Sequence, residues 1–172
     1  SDADKRIEVL THLPSVIWGT RTDEDFFLRV AQLLLAGIPR AEAVAIVEPV
    51  GDKVEILHWD RRNETEGGVH PSSRLVCEAI VESNRSVLHV WEPEVDNDNP
   101  QYSATGDFNW AFCTPVSVTG QSRRGLYVAG QLDAAAFASG ADEHSALLSA
   151  DVRFTELVSE IVSSLRRLSR LE

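Results

Sequence analysis

Trp110-Ala111-Phe112-Cys113-Thr114-Pro115-Val116-Ser117-Val118 and Gly125-Leu126-Tyr127-Val128-Ala129-Gly130-Gln131 read as two apolar strands, joined across Thr119-Gly120-Gln121-Ser122. Their aromatic, Val and Thr content suits a pleated, half-buried surface. Pro115 has no N–H to give to a ladder, so a bulge or irregular register is expected there. A second pair lies upstream. Ala43 to Val47 is continuously apolar, as in a strand buried on both faces. Gly51-Asp52 is a hairpin turn signal, and Val54-Glu55-Ile56-Leu57-His58-Trp59 follows it. Ser86 to Val90 supplies a short fifth strand.

Helical periodicity surrounds these strands. Asp2 to Leu13 carries Ile7, Leu10 and Leu13 on one face, with Pro14 as a stop. Thr22 offers an N-cap, and Asp23, Glu24 and Asp25 occupy the first turn, where the helix dipole favours acids. Phe26, Phe27, Val30, Leu33 and Leu34 form its apolar stripe, and Gly37 and Pro39 end it. A helix starting near Ser72 buries Leu75, Val76, Ala79 and Ile80. In the final helix Leu157, Ile161, Leu165 and Leu168 are expected to cover the domain's own sheet, leaving Val158, Val162 and Leu171 off that line. No Gly or Pro closes this helix, so it is expected to continue in a longer protein. The absence of any Met points the same way, to a domain excised from a larger chain.

The chain has 172 residues, the size of one domain. Its 27 acids against 16 Lys and Arg give a formal charge of −11, which argues against nucleic acid or an anionic membrane as partner. Its apolar runs, such as Leu33-Leu34-Leu35-Ala36, are too short to span a bilayer, and no signal peptide opens the chain. Cys77 and Cys113 make no disulfide framework and no C-x-x-C pair, so a reducing, cytoplasmic setting is expected.

The order of elements resembles a GAF domain: helix, hairpin, helix, strand, long loop, hairpin, helix. Ala41-Glu42-Ala43-Val44-Ala45-Ile46-Val47 is similar to that family's first strand, and Ser86-Val87-Leu88-His89-Val90 to the strand before its variable loop. Ala111-Phe112-Cys113-Thr114-Pro115-Val116 resembles the strand with the family proline. Gly125 to Ala129 resembles the last strand, and Ser149 to Leu165 the closing helix. The resemblance implies an α+β fold, with a central antiparallel sheet, helices on one face and a loop-covered pocket on the other. PAS-like folds are the structural rival. Residues 1–20 then form an N-terminal helix or linker, and 21–170 a single GAF-like domain ending in a signalling helix. Arg6-Ile7-Glu8-Val9-Leu10, Leu33-Leu34-Leu35-Ala36-Gly37-Ile38-Pro39, Leu57-His58-Trp59-Asp60 and Asn109-Trp110-Ala111-Phe112-Cys113 further resemble GAF modules that precede bacterial class III nucleotide cyclase domains, often behind a forkhead-associated domain.

Dedicated chemistry is sparse. Neither cysteine has neighbouring cations to lower its pKa, so both read as small buried residues rather than nucleophiles. No G-x-S-x-G elbow, Walker loop or G-x-G-x-x-G is present, and Gly67-Gly68 is only a turn signal. His12, His58, His70, His89 and His144 form no helical zinc pair. His58 and His89 lie on separate strands and could meet as haem or iron ligands, which some GAF domains use. Cys113-Thr114 lacks the adjacent His of bilin-binding members. The only lysines, Lys5 and Lys53, do not assemble the N-K-F-D-E signature of cyclic-nucleotide-binding members. No cofactor is named by the sequence.

Aromatic residues are the strongest pointer to a site. Trp59, Trp91 and Trp110 fall at strand ends or beside the long loop Glu92–Asn109, and Tyr102 and Phe108 lie within it. Such flat walls suit an apolar or planar ligand, with His58, Asp60 and His89 as orienting polar groups. The competing reading is that the tryptophans merely close a small core. The acidic run Glu92 to Asp98 reads as a solvated lid, lacking Ca²⁺-loop spacing. The expected function is a non-catalytic sensory module that binds an unidentified small molecule, forms a homodimer through its terminal helices and controls a C-terminal output domain. The alternatives are a free-standing GAF-fold reductase using a pocket Cys, or a purely structural dimerisation module.

Overall fold

A computed structural model describes residues 1–63, 68–91, 108–116, 123–132 and 141–170, with side chains in the last segment at 145–165. Helices α1 (Asp2–Gly19) and α2 (Asp23–Gly37) lead into strands β1 (Ala41–Val50) and β2 (Lys53–Arg61). Helix α3 (Ser73–Cys77) continues as a π-helical turn, Glu78–Ser83. Strands β3 (Val87–Val90), β4 (Trp110–Val116) and β5 (Arg124–Gly130) follow, and α4 (Ala141–Arg170) closes the described chain. The strands form one sheet in the order β2-β1-β5-β4-β3, and every neighbouring pair is antiparallel.

Each face of the sheet has its own core. On the helix face, Val44, Ile46, Trp110, Phe112, Leu126 and Val128 pack against α1, α2 and α4. On the opposite face, Ala43, Ala45, Val47, Ala111, Cys113, Tyr127 and Ala129 meet Val69, α3, Trp91 and Phe108. Burial on both faces explains the unbroken apolar run of β1.

The N-cap expected at Thr22 forms, and Ser72 caps the helix that was expected to begin near it. Thr22 accepts from the Asp25 N–H at 3.2 Å, and Ser72 from the Leu75 N–H at 3.3 Å. At the other end of α2, Arg62 donates to the carbonyls of Leu35 and Ile38 at 2.6 and 3.0 Å, a cation on the negative pole of the dipole.

Four expectations are corrected. Helix α1 does not stop at Pro14 but continues to Gly19. Its buried face is Val9, Leu13 and Ile17, while Ile7 is 62% exposed. Apolar burial of that stripe outweighs the one hydrogen bond Pro14 removes. In α4 the fully buried apolar residues are Leu148, Phe154, Val158 and Val162, so the stripe expected to lie off the sheet is buried; of the stripe expected to cover it, Ile161 and Leu165 pack partly buried against the same core and Leu157 is exposed. Pro115 makes no bulge: β4 and β5 stay in register through Pro115 and Gly125. Strand β3 pairs only with Trp110 to Cys113, so Pro115 lies where β4 has no β3 partner, and Ser159 Oγ donates to the Pro115 carbonyl at 2.8 Å. The irregularities fall instead in β1, at Ile46/Val47 against β2 and at Ala41/Ala43 against β5.

A buried ion cluster ties the helices together. Asp151 of α4 is fully buried. Arg40 grips its carboxylate with two hydrogen bonds of 3.0 Å, and Arg6 of α1 reaches the same group. Hydrogen bonding to Asp151 raises the Arg40 pKa from its ordinary value, against the opposing effect of burial. Arg6 also donates to the Gly37 carbonyl and lies over the Phe154 ring. Helix α1 is thereby fixed to the end of α2 and to α4.

Candidate functional site

Cross-strand register assembles one row on the face away from α1, α2 and α4. Arg61 lies opposite Ala43, Ala43 opposite Ala129, Ala129 opposite Ala111, and Ala111 opposite His89. Directly opposed residues share a face, so the row runs Arg61-Ala43-Ala129-Ala111-His89 across all five strands. Its three alanines span about 10 Å at the usual strand spacing. At one end the Arg61 guanidinium lies 4.9 Å from the centre of the Phe108 ring. At the other, His89 meets Trp91 edge-on, with ring centres 4.7 Å apart. The next row places Trp59, Ala45, Tyr127, Cys113 and Val87 side by side. The Tyr127 hydroxyl accepts from the Ser72 N–H at 3.1 Å, anchoring the start of α3 over the sheet.

The sequence-derived site divides across the sheet. Trp91, Phe108 and His89 come together at the alanine row. Trp59 shares their face, but on edge strand β2 and 45% exposed. Trp110 does not join them. It points to the helix face, fully buried, and stacks on Phe112 at 6.1 Å between ring centres. His58 and Asp60 are opposite Ile46 and Val44, which also puts them on the helix face. Strand alternation is the reason: Trp59 and its two neighbours must face opposite ways. His58 and His89 cannot meet as ligands to one metal, because β2 and β3 are opposite edges of the sheet and the two residues face opposite sides. Among the described residues no group of three or more His, Cys, Asp or Glu could hold a metal ion. Tyr102 and the acidic run Glu92 to Asp98 lie outside the described residues.

Arg61 was missed in the sequence, as was the alanine row. The available signal was small residues alternating in strands, Ala43 and Ala45 in β1, with Ala111 and Ala129 in the later pair.

The thiols are poorly placed for chemistry. Cys113 is fully buried, and desolvation raises its pKa, the opposite of what a nucleophile needs. Cys77 is half-buried at the end of α3. Three cavities among the described residues lie elsewhere. Two, of about 520 and 310 Å³, run along α1 and α2 and share His12. The third, about 380 Å³, lies between the β4 end and α4. No described helix is long and apolar enough to cross a membrane.

No family model and no curated protein matches the sequence significantly. Solved structures do match. The GAF domain of A. aeolicus nlh2 in an inactive state superposes with a TM-score of 0.66 at 11% identity, covering 98% of this chain and 99% of that one. The chain has the GAF fold. The GAF domain of a Coxiella burnetii phosphoenolpyruvate-protein phosphotransferase matches at TM-score 0.59 and 15% identity over 99% of both chains. A free methionine-R-sulfoxide reductase from Neisseria meningitidis, solved with its substrate, matches at TM-score 0.67 and 15% identity, covering 99% of this chain and 93% of that one. GAF folds thus serve both signalling proteins and enzymes, and which of these this chain is must be argued from its own residues.

Proposed function

We propose that this GAF domain is a non-catalytic regulatory module that holds a small planar molecule against the alanine row. The carrying observation is the row itself. Three adjacent alanines, buried in the core that also holds Trp91 and Phe108, form a row of small side chains, with the Arg61 guanidinium against the Phe108 ring at one end and the His89 ring against Trp91 at the other. A flat apolar body with an acidic or polar edge matches that lining. Native mass spectrometry of the purified chain tests the reading. The wild type should retain a small-molecule mass that Ala129→Leu, which fills the row, no longer carries. Identical masses on both proteins would count against it.

The module pairs with a second copy through α1 and α4. Ile7, Pro14 and Trp18 fall within about 40° of one another around α1, and Ile7 and Trp18 are the most exposed large apolar residues described, at 62% and 61%. Leu157 of α4 is exposed as well. Parallel pairing would carry a change in the domain along α4 to an output domain. On the sequence resemblance, that output is a class III nucleotide cyclase.

The second reading is a reductase, favoured by matches to three free methionine-R-sulfoxide reductases. The burial and raised pKa of Cys113 oppose it. Assay of the chain with free methionine-R-sulfoxide and dithiothreitol separates the two. No turnover is expected, and a rate abolished by Cys113→Ser would establish the enzyme.

A further inference from the structure

We infer that the cleft between the β3 turn and α4 binds a small zwitterion of the α-amino acid class, at a site separate from the alanine row. The cleft measures about 380 Å³, within the usual range for small-ligand sites. Its two walls carry opposite charge. Asn84 and Arg85 form one, and Glu156 and Glu160, one helical turn apart on α4, form the other. Asn84 holds its wall in place through a left-handed backbone, φ 51°, which closes the π-helical turn.

The floor is a fixed hydrogen-bonded chain. Thr114 is 2% exposed. Its hydroxyl lies 2.9 Å from Ser86 Oγ, and Ser86 Oγ donates to Glu156 Oε2 at 3.1 Å. This fixes one Glu156 oxygen and leaves the other to accept from a ligand. Across the gap, no ion pair closes between Arg85 and either carboxylate among the described residues. Opposite charges that line one cleft without meeting are suited to a ligand that carries both. An ammonium group donates three hydrogen bonds, which suits Glu156 and Glu160, and a carboxylate suits the forked guanidinium of Arg85. Because the acidic wall belongs to α4, occupancy would add a tie between the turn before β3 and the closing helix.

Nuclear magnetic resonance titration with three molecules of one carbon skeleton tests this. L-alanine carries both charges, L-alaninamide lacks the carboxylate, and propionate lacks the ammonium. L-alanine should shift the amides of 84–86 and 156–160 saturably, with the other two at least tenfold weaker. Arg85→Met and Glu160→Gln, both at exposed positions, should each weaken L-alanine at least fivefold, whereas Ala129→Leu should leave it unchanged. Equal binding of L-alanine and L-alaninamide, shifts confined to other parts of the chain, or no saturable shift would overturn the proposal. None of these results bears on the alanine row.

Discussion

Asp151 is the residue whose loss the fold should tolerate least. Its carboxylate is fully buried, with Arg40 and Arg6 around it. Asp151→Asn keeps the size but removes the carboxylate charge that Arg6 and Arg40 share, leaving Arg40 only its longer contact with Asp2 at 3.7 Å. Removing one partner of a buried ion pair costs about 3 kcal/mol, which for a domain of this size lowers Tm by about 6–12 °C. Thermal unfolding measures it, and a shift under 2 °C would show that water reaches the cluster. Gly130 is constrained sterically. A Cβ there would run into the Trp110 ring and come within 2.7 Å of the Arg40 carbonyl. Backbone and a fully buried indole cannot yield cheaply, so Gly130→Ala should cost about 1–3 kcal/mol in urea unfolding.

Burial also sets a pH dependence. Desolvation raises the pKa of Cys113 in the fold, and likewise that of Tyr127, where the Ser72 N–H opposes it and Cys113 adds to it. Unfolded, the two groups ionise near about 8.5 and 10. Above those values the unfolded chain sheds protons that the folded chain keeps, so stability is full below about pH 8.5 and falls as pH rises. The urea midpoint should decline from pH 8 to pH 10.5. Cys113→Ala should remove the earlier part of that decline, and an unchanged profile in this variant would show that Cys113 is not its source.

At the scale of elements, the two hairpins and the helix starts were legible because local chemistry sets them. Thr22 caps where it was expected to, the third helix starts beside Ser72 as expected, and Gly51-Asp52 turns the first hairpin. What was not legible was which of two apolar stripes a helix turns inward. Both Leu157-Ile161-Leu165 and Phe154-Val158-Val162 are hydrophobic; the second turns fully inward on the same helix as Asp151, while Ile161 and Leu165 lie at the margin of that core and Leu157 is exposed. The same limit governed the site. Alternation in β2 could be read, but its absolute facing could not, because the irregular pairing at Ile46/Val47 resets the register ahead of His58. The exposed stripes carry a prediction. At tens of micromolar the chain should sediment as a dimer, and Trp18→Glu with Leu157→Glu should return it to monomer without loss of helical circular dichroism. A wild-type monomer would remove α1 and α4 as an interface.

Across the whole molecule, the sheet divides two kinds of work. The helix face holds the Asp151 cluster and the larger aromatic core, and it joins the first helix to the last. The other face carries small residues at its centre, with Arg61 against Phe108 at one edge and His89 against Trp91 at the other. The claim that this second face binds rather than catalyses is tested most directly by a resonance titration with a planar probe such as 2-naphthoate. The account expects saturable shifts at the amides of Ala43, Ala111 and Ala129, loss of binding in Ala129→Leu, and an unchanged affinity in Cys113→Ser. Shifts confined to the groove along α1 and α2, with the alanine row silent, would contradict it.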